Sequence, residues 1–120
     1  MKKSRSAKKN KRERFYDGIT KVALSRETDK YCFVTYMRTG EKLRTGLELH
    51  HVFGGPNRKH SDYCGLCVYL CHDYHRHGTT GVHADADLKQ ELQQYAQAEF
   101  EKFNTRDDFM RIFHRNTLEV

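Results

Sequence analysis

The chain has 120 residues, enough for one domain and too few for a second core. Apolar residues make up only 37% and mean hydropathy is −0.92, so the core is small and a bound metal would add to its stability. The net charge of +6 and sequence pI of about 9.2 suit a phosphate-rich partner, nucleic acid or an anionic surface. The charged opening stretch has no apolar run, which argues against a secretory leader or membrane span and for residence in the cytoplasm.

Residues 1–15 read as a flexible basic arm. Lys2, Lys3, Arg5, Lys8, Lys9, Lys11, Arg12 and Arg14 face Glu13 alone, a surplus greater than the whole net charge. Like-charged runs repel and stay disordered. Such an arm either keeps the chain soluble or follows a phosphate backbone without reading sequence. Residues 16–120 then form a single domain. Within it, Tyr31–Tyr36 has strand-like composition and Gly40 marks a turn. Leu47–His50 alternates as a strand does, Phe53–Asn57 breaks it into a loop, and Leu66–Leu70 is a second strand. The stretch from Cys71 to His77 reads as a helix start or tight turn. Residues 84–118 are helical: Leu88, Leu92, Tyr95, Ala96, Phe100 and Phe103 recur at helical spacing, which predicts a core-facing stripe. Thr105 with Asp108 has the pattern of a capping box opening a second helix, whose Phe109, Ile112 and Phe113 fold back on the core.

The unusual chemistry is concentrated in residues 46–83. Of eight histidines, His50, His51, His60, His72, His75, His77 and His83 fall here. The bland alternative is a histidine-rich surface loop. The sharper one is phosphodiester hydrolysis, which needs a nucleophile made from water, charge stabilisation at the phosphorus and neutralisation of the leaving oxygen. A neutral imidazole serves as general base and a divalent metal does the other two jobs. An adjacent His-His pair at a strand end fits that division, because successive strand side chains point in opposite directions.

Leu49-His50-His51-Val52-Phe53-Gly54-Gly55-Pro56-Asn57-Arg58-Lys59, then Leu70–Arg76 and Gly81-Val82-His83, resembles the HNH (His-Me finger) endonucleases. It is most similar to the small members carried by phages and prophages. The similarity extends through Leu88, Leu92, Ala96, Gln97, Phe100, the Asp108–Phe113 segment and Arg115-Asn116, roughly residues 48–118. The resemblance implies an α+β fold with a ββα-metal core (strand, loop, strand, helix) followed by C-terminal helices. It also implies one divalent metal, of the Mg, Mn, Ni or Zn class, and cleavage at the 3′ O–P bond in the cytoplasm of a bacterial host. His51 is then the general base, and His50, His75 and His83 the metal ligands, with His72 and His77 as alternatives. Arg58, Lys59 and Arg76 would contact phosphates, although each alone is an ordinary surface charge. Gly65 stands near the family's middle Asn, and Asn57 is the candidate to brace the loop in its place. Cys32 and Thr35 stand where many relatives carry a CxxC, so a complete zinc knuckle there is not supported.

Cys64, Cys67 and Cys71 have C-x2-C-x3-C spacing, and Cys32 would supply a fourth thiolate for zinc. The preferred reading makes Cys67 and Cys71 small core residues. The function expected is a DNA endonuclease or nickase. The alternatives are a non-catalytic, zinc-stabilised nucleic-acid-binding module and an RNA nuclease built on the same finger, with Tyr31, Phe33 and Tyr36 as base-stacking candidates. No interface signature separates a monomer from a homodimer.

Overall fold

The computed structural model describes residues 10–77 and 81–118. The fold is α+β. The first helix, α1 (Lys11–Phe15), is followed by α2 (Phe33–Thr39), β1 (Leu47–His51) and a 3₁₀ turn (Gly55–Asn57). Next come α3 (Arg58–Cys64), β2 (Cys67–Cys71) and α4 (His72–His75), then α5 (Ala86–Phe100) and α6 (Arg106–Phe113). Among the described residues, β1 and β2 form the one sheet, an antiparallel pair in the register Leu47–Cys71, Leu49–Tyr69, His50–Val68 and His51–Cys67.

Three segments differ from the sequence expectation. The first is the strand-like stretch 31–36, most of which lies in α2. Its β-branched and aromatic content is only a weak preference that packing overrides, and the segment lies against β2 as a helix. Gly40, at φ +78°, ends the helix in the left-handed conformation that suits glycine. Val34 is buried there, while Tyr36 is exposed.

The second is the arm, whose last third is a short ordered helix. Asn10 and Glu13 form a reciprocal capping box over the first turn of α1. Tyr16, just past its end, is buried, stacks on Tyr63 at 3.9 Å and hydrogen-bonds His60 Nδ1 at 2.6 Å. Residues 1–9, which carry the rest of the basic arm, lie outside the described residues.

The third is the connection between the two strands, which contains a helix. Pro56 sits in the middle of the 3₁₀ turn, and α3 follows with His60, Ser61 and Cys64 on its buried face. Ser61 Oγ donates to the Phe53 carbonyl and accepts from the Phe53 amide, tying α3 back to the end of β1. Gly65 closes α3 at φ +79°, and any Cβ there would overlap the Val22 carbonyl oxygen. No side chain, asparagine included, fits at position 65 with this backbone.

The core sits between the sheet and the two C-terminal helices. Leu88, Leu92, Ala96 and Phe100 line the inner side of α5, and Phe109, Ile112 and Phe113 line that of α6. Thr105 Oγ1 accepts from the Asp108 amide, completing the expected cap. Phe53 contacts Phe109 and Phe113 with ring centroids 5.3 and 4.9 Å apart, which anchors the end of β1 to α6. Each fully buried Phe contributes about 1.5–3 kcal/mol through the water it sheds. Tyr95 and Phe103, expected in the core stripe, are exposed; α5 ends at Phe100, before Phe103, and Tyr95 faces Phe33 across its edge.

Asn57 is buried and its amide donates to the Phe113 carbonyl at 3.1 Å, joining the turn after β1 to the last turn of α6. Asn57→Ala leaves that buried carbonyl without its donor. The expected cost is about 1–3 kcal/mol, read as a lower urea midpoint at unchanged slope.

Candidate metal centre and adjoining groove

Alternation along β1 decides how the histidine pair is divided. His50 is buried, and His51 has a side chain 13% exposed that opens on a surface groove. The His50 ring meets two others delivered from downstream. β2 runs directly into α4, whose last residue is the buried His75. The chain then returns through Gly81 N to His77 O and Val82 N to Tyr74 O, which places His83 just ahead of α5. The three ring centroids form a nearly equilateral triangle, 5.1 Å for His50–His75, 5.4 Å for His50–His83 and 5.1 Å for His75–His83. One ligand nitrogen from each falls within 4.8 Å of the other two. Three imidazoles with room for a further ligand is a donor set that suits Zn²⁺ and other first-row ions.

The electrostatics favour the neutral form of His50 and His83, the form that metal binding needs. Burial, followed by the neighbouring His75 and His83, lowers the His50 pKa from 6.5 to about 3. Burial also lowers His83, with His75, Arg76 and Lys89 adding to the effect. Glu48 Oε1 lies 2.7 Å from His75 Nδ1. That contact commits Nδ1 to the carboxylate and leaves Nε2 for the metal, an arrangement that orients a ligand ring and makes it more basic. Glu48 also accepts from Arg76 Nε at 3.1 Å, and its own pKa is lowered chiefly by the His75 bond.

Below pH 6.5 an unfolded chain binds a proton at His50 that the folded chain does not take up until about pH 3. Stability therefore rises with pH across this window and is lost on acidification, at up to about 1.4 kcal/mol per pH unit for such a group. In chelated protein, the urea midpoint is expected to fall between pH 7 and pH 5. His50→Gln should flatten that dependence.

His51 faces a different space. With Leu49, Gly55, Pro56, Arg58, Lys59 and Asp62 it lines an open groove of about 680 Å³. Its Nε2 is 3.7 Å from Asp62 Oδ1. Burial first, then the Arg58 charge, lowers its pKa, with Asp62 opposing. A base that stays unprotonated at neutral pH results. His51 also borders a narrower cavity of about 320 Å³ with His50, His83, Asn57, Lys89 and Arg115, so the groove and the imidazole cluster adjoin across one residue.

The other expected residues are placed less centrally. Arg58 and Lys59 are exposed on the groove, whereas Arg76 is engaged by Glu48. His72 and His77 are exposed and outside the imidazole cluster. His60 is bonded to Tyr16. Among the described residues, no metal-sized group contains two cysteines. Cys32, Cys64 and Cys71 are buried, and Cys67, expected in the core, is only half-buried. Burial pushes the Cys64 and Cys67 thiols up to about 12.

Four polar residues at the site were given no role there from the sequence, although Arg115 lies in the stretch that carries the resemblance. Glu48 shares a strand face with His50 two residues on, a signal that was present. Asp62 needed α3 to be recognised. Lys89 and Arg115 reach the site only through the packing of the C-terminal helices.

No protein-family model, curated protein or solved structure matches the chain. Among the described residues, no helix is long and apolar enough to cross a membrane.

Proposed function

We propose that this protein is a metal-dependent DNA endonuclease or nickase, with β1, β2 and α4 acting as a ββα-metal finger of the HNH type. The observation that carries the reading is the split of two consecutive residues on one strand. His50 joins the cluster with His75 and His83, and His51 opens on a groove edged by Arg58 and Lys59.

In this reading His51 Nε2 takes a proton from the attacking water, which its depressed pKa suits. Arg58 and Lys59 hold the phosphate by charge, contacts that position a backbone without selecting sequence. Lys89 and Arg115 add positive charge on the narrower side. His50, His75 and His83 would hold one divalent ion, which when bound supplies Lewis-acid stabilisation of the phosphorane and of the leaving 3′ oxygen. Asn57 keeps the turn beneath the groove rigid.

The test is nicking of supercoiled plasmid by the purified chain with Mg²⁺, Mn²⁺, Ni²⁺ or Zn²⁺ supplied separately, alongside a single-stranded RNA substrate. Metal-dependent nicking abolished by EDTA is the expected result. Cleavage of RNA alone would move the assignment to an RNA nuclease. A folded protein that shifts DNA in a gel and cuts neither polymer with any metal would overturn the enzyme reading.

A further inference from the structure

We propose that His51, Asp62 and Cys67 form a second metal site, for a thiophilic ion of the Zn²⁺ or Cd²⁺ type, whose filling disables the general base. The disabling part rests on the role given to His51; the site itself does not.

The strand register creates it. His51 and Cys67 are direct cross-strand partners, so their side chains leave the sheet on the same face. His50, one residue earlier, pairs with Val68 and belongs to the other cluster. The helix inserted between the strands brings Asp62 over this end of the sheet, with Oδ1 3.7 Å from His51 Nε2. One ligand atom from each of His51, Asp62 and Cys67 lies within 4.8 Å of the others. Zinc draws such atoms to about 2.0–2.3 Å from itself. Asp62, with its side chain 64% exposed, has solvent room to turn inward. A fourth position opens on the groove lined by Arg58 and Lys59.

The donor chemistry separates this group from the imidazole cluster. A thiol, an imidazole and a carboxylate select zinc-like ions over Mg²⁺, which prefers oxygen ligands and its own waters. On binding, the metal replaces the Cys67 thiol proton, which passes to solvent, and a sulfur–metal bond forms. His51 gives its Nε2 lone pair to the metal. That is the lone pair that would otherwise accept the proton of the attacking water, so metal binding and base catalysis exclude each other. A loss of cleavage at raised zinc follows from the same strand pair that builds the nuclease site.

The experiment titrates Co²⁺ alone into chelated full-length protein and records the near-ultraviolet thiolate-to-cobalt charge-transfer band. Wild type is expected to show the band and Asp62→Asn to weaken it. Cys67→Ser is expected to lose it while keeping the visible bands of cobalt held by histidines. Circular dichroism checks that each variant is folded. A band that persists in Cys67→Ser, or is absent from wild type, overturns the site whether or not the protein cleaves anything.

In a second arm, Zn²⁺ is added to Mn²⁺-supported nicking. At zinc ten times the site's dissociation constant, mass action leaves wild type about tenfold slower than its zinc-free rate. Cys67→Ser, compared with its own zinc-free rate, is expected to escape that loss. Equal inhibition of both proteins would place the zinc at the imidazole cluster and overturn the disabling role. Absence of nicking without zinc would sink the nuclease reading and leave the cobalt band to decide the site.

Discussion

His51→Ala is expected to slow metal-dependent nicking by about 10²–10⁴-fold, the usual contribution of a positioned general base. DNA binding, and metal binding at the His50, His75 and His83 cluster, are expected to survive the change. The reasons are geometric. His51 is not one of the three clustered imidazoles, and the carboxylate 3.7 Å from its Nε2 belongs to the exposed Asp62. Truncation therefore leaves the His50, His75 and His83 rings and the Arg58 and Lys59 charges in place. The pH profile adds a readout that a purely structural role would not move. Because burial and Arg58 depress the His51 pKa in the free protein, the acid limb of kcat/KM in wild type should lie below the 6.5 of a free imidazole. Loss in His51→Ala of metal binding at the imidazole cluster, measured with Mn²⁺ by calorimetry, or of DNA binding, measured by gel shift, would count against the role.

His50→Ala has the opposite signature: metal binding goes first and cleavage with it. His50 is one of the three clustered imidazoles that could hold a metal, buried and held unprotonated with its pKa at about 3. Its removal leaves two candidate ligands, one of them the exposed His83. The affinity for Zn²⁺ by calorimetry should drop by more than the roughly 10–100-fold that follows loss of an outer hydrogen-bond partner. Glu48→Gln supplies that smaller reference value, since it weakens the bond to His75 Nδ1 without touching a ligand. Equal losses in the two variants would mean that His50 is a buried polar residue and not a ligand. The same pair separates ligation from stability, because the urea midpoint of the metal-free protein can be measured for each.

Patterns within one segment were enough for part of this protein. The strand over Leu47–His51, the second strand, the Thr105 cap and the buried stripe of Leu88, Leu92, Ala96 and Phe100 are local, set by side-chain periods of two or nearly four and by one capping pair. The His-His pair at a strand end pointed to the site for the same reason: alternation sends neighbours to opposite faces. Other features were decided by packing. Helix α3 is too short for its period to stand out, and α2 has the composition of a strand but packs on β2 as a helix, with Val34 buried. Tyr95 carries the stripe's spacing yet stays exposed, because a helix buries only the side that meets a partner, and Phe103 lies past the end of α5. The meeting of Glu48 with His75, of Asp62 with His51, and of His83 with His50 depends on strand register and chain reversal between residues far apart in sequence. Sequence by itself determined which residue types were available for metal and phosphate chemistry. Only the tertiary structure decided which of seven clustered histidines share a space, because ligand convergence is a matter of a few ångströms set by register and packing.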